Sequence, residues 1–437
     1  MGRRSGKAGG WAGVALAFAL SMAVPERAAA EPRYQEMARQ LVGPDQGVFA
    51  RAEDGTVLAA VAADVPVHPA SVTKVASTLA LLAELGPDYR FRTRVLAGGP
   101  VREGVVAGDL LIQAGGDPFL VSEDALLMLA SLRCIGIGRV DGRLRVVGED
   151  PLVFNWEPDP AGRRLTADLA GTASPAAWLA VANAETGLLD RGPASLGLRF
   201  GRKSIDVSGV PQPLIEYRSP PLRRILKELN GFSNNIFHPF SGRVGGPDEV
   251  QKHARAAIDP SLRAEIVIDN AAGAGKTNRF SPRAAAALID ALAAELRRRG
   301  LDLPDVLPVA GIDPGTLSTR FTGPAFRGVV VGKTGTIPSI RSSALAGIAR
   351  TRARGAVTFA ILNHGLPVPE ARRRQDAFVQ ALIGEAGGIP WKYEALSKPP
   401  FSEAKVDAVV DGHRCDVPPP EPQDRALPNR RTGGLGK

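Results

Sequence analysis

Three short patterns hold residues whose types and spacing could do chemistry. Ser71-Val72-Thr73-Lys74 sets a hydroxyl and an amine three positions apart. On a helix that spacing puts both on one face, one turn from each other. A serine hydroxyl is a weak nucleophile until a base takes its proton. A lysine is that base only when burial or a nearby cation lowers its pKa towards neutrality. A helix N-terminus here would add free backbone N–H groups and partial positive charge at the point of attack. Ser233-Asn234-Asn235 supplies a second hydroxyl and, at Asn235, an amide. Lys333-Thr334-Gly335-Thr336 closes an apolar, strand-like run. From a strand edge Lys333 can approach the Ser71–Lys74 pair and attract a substrate carboxylate, while Gly335 leaves room for a substrate backbone. The chemistry described is nucleophilic attack by a serine.

No one pattern carries this alone. Ser-x-x-Lys recurs at Ser402–Lys405, in a Pro-rich tail with no predicted helix, and that copy is set aside. Ser-x-Asn is common in turns and caps. Lys-Thr-Gly is rarer, and the order and contexts of all three are what make the set specific.

The elements that must position these residues follow from patterning. Residues 31–50 read as a short helix leading into a strand, and two strands flank the turn Asp54-Gly55. A helix starts at Ser71, keeps Val75, Leu79 and Leu82 on one stripe, and stops at Gly86-Pro87. From about 90 to 220, short strand-like pieces alternate with Gly/Pro/Asp turns, interrupted by one amphipathic helix over roughly 122–132. This reads as a separate, mainly β module inserted after the first helix. Helical patterning returns at 219–232 and 281–300, and strand-like runs follow at 328–337, 342–351 and 356–365. The expected division is 1–30 signal peptide, 31–90 first part of the main domain, 91–220 insert, 221–395 second part. Residues 396–437, rich in Pro, Arg and Gly, are expected to be a disordered tail.

Composition excludes several classes. With 44% hydrophobic and 23% charged residues over 437 positions, the chain is neither disordered throughout nor a multi-span membrane protein. Residues 1–30 have a basic start (Arg3, Arg4, Lys7), an apolar run from Trp11 to Val24 and a small-residue cleavage site at Ala28-Ala29-Ala30. That is the grammar of a secretory signal peptide, so an exported, periplasmic protein with no stable membrane span after cleavage is expected. Cleavage lowers the net charge from +9 to +6. No basic, aromatic-interleaved stretch suggests nucleic acid. The five histidines lack metal-ligand spacing, so neither a metal nor a cofactor is expected. Cys134 and Cys415 are the only cysteines. One bridge fits an oxidising compartment, but two unrelated thiols are the expectation. A further motif competes: Ala272-Gly-Ala-Gly-Lys276-Thr277 after a strand-like run resembles a phosphate-binding loop. Its first glycine would fall at Asn270, where the loop needs a flexible residue, and the ATPase reading is set aside.

At these residues the sequence resembles the class C low-molecular-mass penicillin-binding proteins, the D-alanyl-D-alanine carboxypeptidase/endopeptidase family. Further matching segments are Pro69–Lys74 with Leu85–Val95, Gly108–Pro118, Arg218–Leu222, Gly273–Pro282 and Leu307–Asp313. The resemblance covers roughly residues 31–390 and implies an α+β, serine β-lactamase/transpeptidase-like domain, an antiparallel sheet flanked by helices, interrupted by a mainly β inserted domain. Only 162 positions separate Ser71 from Ser233, short for the family. It further implies that Ser71 is acylated by a peptidoglycan stem peptide, or by a covalent β-lactam inhibitor, with Lys74 as base. Ser233 would relay a proton to the leaving amine, and Asn235 would hold the substrate amide and Lys74. Lys333 would serve the substrate carboxylate, with Thr334, Gly335 and Thr336 binding substrate. The backbone N–H groups of Ser71 and Thr336 would form the oxyanion hole, and Asp150 and Phe154 are looser candidates for touching the stem. Two rivals are a catalytically silent wall-binding protein and a serine β-lactamase. The Glu-x-x-x-Asn that the commonest β-lactamases use to drive deacylation occurs nowhere in the chain.

Overall fold

The computed structural model describes residues 2, 30–184, 193–395 and 398–409. The signal segment therefore lies outside the described residues, save for 2 and 30. No described helix is long and apolar enough to cross a membrane.

The main domain begins with α1 (Pro32–Leu41), β1 (Gly47–Arg51) and β2 (Val57–Val61), joined through the expected turn at Gly55. A 3-10 turn, Ala70–Thr73, runs directly into α2 (Lys74–Leu85), which ends where Gly86 adopts φ 83°. The insert then supplies β3 (Arg92–Ala97), β4 (Leu110–Gln113), α3 (Ser122–Cys134), β5 (Leu144–Val147), α4 (Pro175–Ala184) and β6 (Gln212–Arg218). The chain returns through α5 (Leu222–Gly231), α6 (Pro247–Ala256) and α7 (Pro282–Arg298). Three long strands follow: β7 (Val330–Ile337), β8 (Ser342–Thr351) and β9 (Gly355–Asn363). The last described elements are α8 (Val368–Ala386) and β10 (Lys405–Ala408).

The main sheet is antiparallel, in the order β7-β8-β9-β1-β2. Its strands alternate faces, and both faces are buried. Ala344, Ala346, Ile348, Ala360 and Leu362 join one core with α2 and α7; Leu345, Ala349, Phe359 and Ile361 join another with α1 and α8. This is the expected architecture of a sheet flanked by helices.

The insert has its own core around α3 and the sheet β10-β6-β3-β4-β5. Three expectations are corrected there. It is less purely β than patterning suggested, since α4 and several short helical turns accompany α3. Nor is α3 amphipathic: nine consecutive residues, Asp124 to Leu132, are buried because the helix is enclosed by strands and helices alike. Finally, residues 398–409 of the expected tail are structured. Phe401 is buried in the insert core and β10 pairs antiparallel with β6, which gives that edge a partner. Residues 410–437 lie outside the described residues. Cys134 is disulfide-bonded, against the expectation of unrelated thiols. The chain's other cysteine, Cys415, lies outside the described residues.

Candidate active site

The turn that carries Ser71 is held under strain. Ala70, immediately before Ser71, is buried with φ 47°, a left-handed conformation uncommon for a residue with a side chain. Such conformations persist where the surroundings over-determine them. Here Ala70 N–H donates to His68 Nδ1 (3.0 Å) and the Ala70 carbonyl accepts from Thr73 Oγ1 (2.9 Å). His68 is a neutral acceptor in this role, because burial and then the Arg279 charge hold its pKa at about 4.

The Gly-rich segment braces the same turn. Gly273 has φ 79°, and a Cβ there would lie 2.0 Å from the Ala70 carbonyl oxygen. Asn278 donates to Thr73 Oγ1 (3.1 Å) and accepts from the N–H groups of Asp269 and Asn270 (3.1 and 3.0 Å). Ser77 Oγ donates to the Ala271 carbonyl (2.7 Å). The segment that imitates a phosphate loop is thus a buttress for Ser71. Its helix starts only at Pro282, and Thr277 Oγ1 is turned onto Asp269 (2.6 Å).

On the other side stands β7, the edge strand of the main sheet. Residues 308–310 cover the first half of its free edge, through Ala310 N–H to the Val330 carbonyl (2.8 Å) and Gly332 N–H to the Pro308 carbonyl (3.2 Å). The second half, 333–337, faces the turn that carries Ser71. A Cβ on Gly335 would sit 2.7 Å from the Pro69 carbonyl oxygen and 2.8 Å from Ser71 N, so only glycine permits the approach. The edge carrying Thr336 therefore meets the turn carrying Ser71.

Within this groove Ser71 is half-buried, on the 3-10 turn rather than on regular α-helix, and Lys74 follows as the first residue of α2. Lys74 is 0% exposed. Its Nζ donates to the Asn234 carbonyl (2.6 Å) and to Asn234 Oδ1 (3.2 Å), and lies 5.4 Å from the centroid of the Phe237 ring. Lys333 is 1% exposed, with its Nζ on the Thr334 carbonyl (2.9 Å). Among the described residues no carboxylate pairs with either lysine. Burial, and then the neighbouring Lys333 charge, bring the Lys74 pKa down to about 6. Burial brings Lys333 down to about 7. An amine that is uncharged at neutral pH, one turn from a serine, is what base catalysis requires.

One expectation is corrected. Asn234, not Asn235, holds Lys74. The reason is local: α5 ends here, and Asn234 Nδ2 donates to the Leu229 (2.7 Å) and Phe232 (3.2 Å) carbonyls left free by the helix end. That capping points Oδ1 at Lys74 and turns both neighbours outward. Ser233 and Asn235 are consequently exposed on the lip of the groove. Thr334 is buried with its hydroxyl 2.7 Å from Thr316 Oγ1, while Thr336 is half-buried. Asp150 is paired with Arg243 (2.5 Å) in the wall of a cavity of about 480 Å³ between the insert and Ile236–Phe240. Phe154 is fully buried and cannot reach a ligand. Sequence reasoning missed His68, Asn234 and Phe237; only the place of Asn234 inside the second pattern hinted at a role.

The comparisons with known proteins agree with this geometry. Residues 34–170 and 202–383 match the model of the D-Ala-D-Ala carboxypeptidase 3 (S13) family. The chain is 27% identical over 387 residues to the carboxypeptidase DacB of Mycolicibacterium smegmatis, covering 79% of this chain and 82% of that one. Among solved structures it resembles the penicillin G-acylated predatory endopeptidase Bd3459 of Bdellovibrio bacteriovorus (TM-score 0.65, 22% identity, 82% of this chain and 97% of that one). It also resembles penicillin binding protein 4 of Haemophilus influenzae (TM-score 0.57, 18% identity, 80% and 98%).

Proposed function

This chain belongs to the D-Ala-D-Ala carboxypeptidase 3 (S13) family, and from that premise we propose that its serine-type D-alanyl-D-alanine carboxypeptidase reaction runs through an acyl-enzyme on Ser71. One observation carries the assignment: Lys74 is wholly buried beside a second buried lysine, has no carboxylate partner among the described residues and is largely neutral at pH 7.

Ser71 Oγ attacks the carbonyl carbon between two D-alanines as its proton passes to Lys74 Nζ. The tetrahedral oxyanion is met by the N–H groups of Ser71 and Thr336, which the close approach at Gly335 brings to one side of the groove. Ser233, on the lip, passes a proton to the departing amine, and Asn235 beside it receives the substrate's amide backbone. The C–N bond breaks, D-alanine leaves, and water then hydrolyses the ester on Ser71 by the reverse proton path. Lys333 sets the potential that keeps Lys74 deprotonated.

The substrate proposed is the stem peptide of peptidoglycan, as a free D-Ala-D-Ala terminus or as a cross-link. The Bdellovibrio relative supports the second use, being named an endopeptidase. The same relative, acylated by penicillin G, supports β-lactams as covalent inhibitors. An extracytoplasmic, periplasmic location suits the family's substrate, and the bonded Cys134 suits an oxidising compartment.

Incubating the mature chain and its Ser71→Ala variant with fluorescent penicillin, then reading denaturing gels and intact mass, tests the proposal. A single adduct, absent from the variant and released slowly, is expected. A folded protein that forms none would sink the mechanism. An adduct that turns over rapidly would favour a β-lactamase.

A further inference from the structure

A substrate ending in a carboxylate needs a cation it can reach, and Lys333 is closed in. It is buried, and its ammonium is already committed to the Thr334 carbonyl. The Thr334 hydroxyl is engaged too, since Thr316 Oγ1 lies 2.7 Å away. Thr336 differs. Its Oγ1 donates to the Gly335 carbonyl (2.8 Å) and accepts from Arg372 Nη2 (3.1 Å).

Arg372 lies near the start of α8, and its side chain is exposed at the mouth of the groove. Two neighbouring arginines have acid partners: Arg320 pairs with Asp376 (2.5 Å) and Arg374 with Glu370 (2.5 Å). Among the described residues, no carboxylate pairs with Arg372. A guanidinium presents a planar fork that matches both oxygens of a carboxylate, and one already fixed on a hydroxyl loses little freedom on binding. The hydroxyl it is fixed on belongs to the strand edge that meets Ser71.

We propose that Arg372, held in place by the Thr336 hydroxyl, is a substrate-binding residue that grips the C-terminal carboxylate of the D-Ala-D-Ala peptide and the carboxylate of a penicillin. This rests on the reading of Ser71 as nucleophile. In it, Lys333 governs the base and Arg372 receives the anion. The division explains how a lysine sealed from solvent and a carboxylate-bearing substrate coexist in one groove.

The test compares wild type with Arg372→Gln, Arg372→Lys and, as a control on the exposed neighbour, Arg373→Gln. A soluble acyl-peptide ending in D-Ala-D-Ala is assayed beside its C-terminal carboxamide, with benzylpenicillin acylation followed by intact mass. Arg372→Gln should lower kcat/KM on the free acid about 10- to 100-fold, mainly through KM. The carboxamide should not distinguish variant from wild type, and Arg372→Lys should recover part of the loss. Raising salt from 50 to 500 mM should raise the wild-type KM and leave that of Arg372→Gln nearly unchanged. Equal losses on acid and carboxamide, or no loss at all, would overturn the proposal. Wild type that forms no penicillin adduct would remove the Ser71 mechanism itself and this inference with it. Unaltered acylation and KM in Arg372→Gln would remove this inference alone.

Discussion

Two regions of the molecule bury lysines, and they treat the buried charge in opposite ways. Behind α5, Lys227 is 5% exposed; its Nζ donates to the carbonyls of Pro304 (2.8 Å) and Leu307 (2.7 Å) and pairs with Asp313 (2.5 Å), under the ring of Tyr393 (4.7 Å). In the groove, Lys74 and Lys333 have carbonyl, amide and aromatic neighbours but, among the described residues, no carboxylate. Burial lowers the pKa of all three, and at Lys227 nearby carboxylates, Asp313 foremost, push it part of the way back up. Burial alone therefore does not make a catalytic lysine. A lysine held with its counter-ion is structural, and one held without it gives up its proton near neutral pH and becomes a base.

The comparison breaks most visibly at the lysines themselves. Replacing Lys74 by Met should cut the rate of acylation by penicillin at least about 10³-fold, because the base is gone. The same change should leave the thermal midpoint at pH 6 unchanged or higher, since a buried charge without a partner has been removed. Lys227→Met should do the reverse. It strands Asp313 and is expected to cost about 3–5 kcal/mol, read as a lower denaturation midpoint, with acylation per folded molecule intact. Adding Asp313→Asn should return part of that stability. If Lys227→Met lost acylation without losing stability, the division between the two regions would be wrong.

A subtler probe separates the two groove lysines. Lys333→Met removes the cation that helps depress Lys74, so the rising limb of the acylation profile should move to higher pH, by roughly one unit. Stability should change with a defined sign. The folded pKa of Lys333, about 7, lies below its unfolded value of 10.5, so between them the unfolded chain binds more protons and wild-type stability rises with pH. Lys333→Met lacks that dependence. It should melt ~3 °C higher than wild type at pH 6, the gap closing towards pH 10.

The smallest expected effect concerns the turn before Ser71. The His68 pKa of about 4 keeps its ring an acceptor for Ala70 N–H at all pH values above that. Below about pH 4 the ring gains a proton at Nδ1 and the left-handed Ala70 loses its support. His68→Phe should mimic this, lowering kcat several-fold at pH 7 with the fold kept. An unchanged kcat would show that the buttress of Gly273 and Asn278 suffices.

Much of this arrangement was legible in sequence because it rests on periodic apolar residues. Val75, Leu79 and Leu82 announced α2, and the runs 328–337, 342–351 and 356–365 announced three strands of the sheet. The three patterns brought Ser71, Lys74 and Lys333 to one groove. What stayed hidden depended on tertiary context. Helix α8 carries the run Arg372-Arg373-Arg374 in its first half and α6 buries only Val250 and Ala254, and sequence reasoning singled out neither helix. Strand β10 is four residues long, two of them charged, and exists because β6 offers it an edge. The inward turn of Asn234 follows from where α5 ends, and the pairing of Lys227 with Asp313 joins positions 86 apart. Spacing alone reports neither.

The most direct measurement is the second-order rate constant for acylation of Ser71 by benzylpenicillin between pH 4.5 and 9. A lysine neutralised by burial without a counter-ion predicts a rise with a midpoint near pH 6, the pKa of Lys74 in the folded protein. A rate that stays flat across this range, or begins to climb only at its upper end, would mean that Lys74 keeps its proton and that the base lies elsewhere.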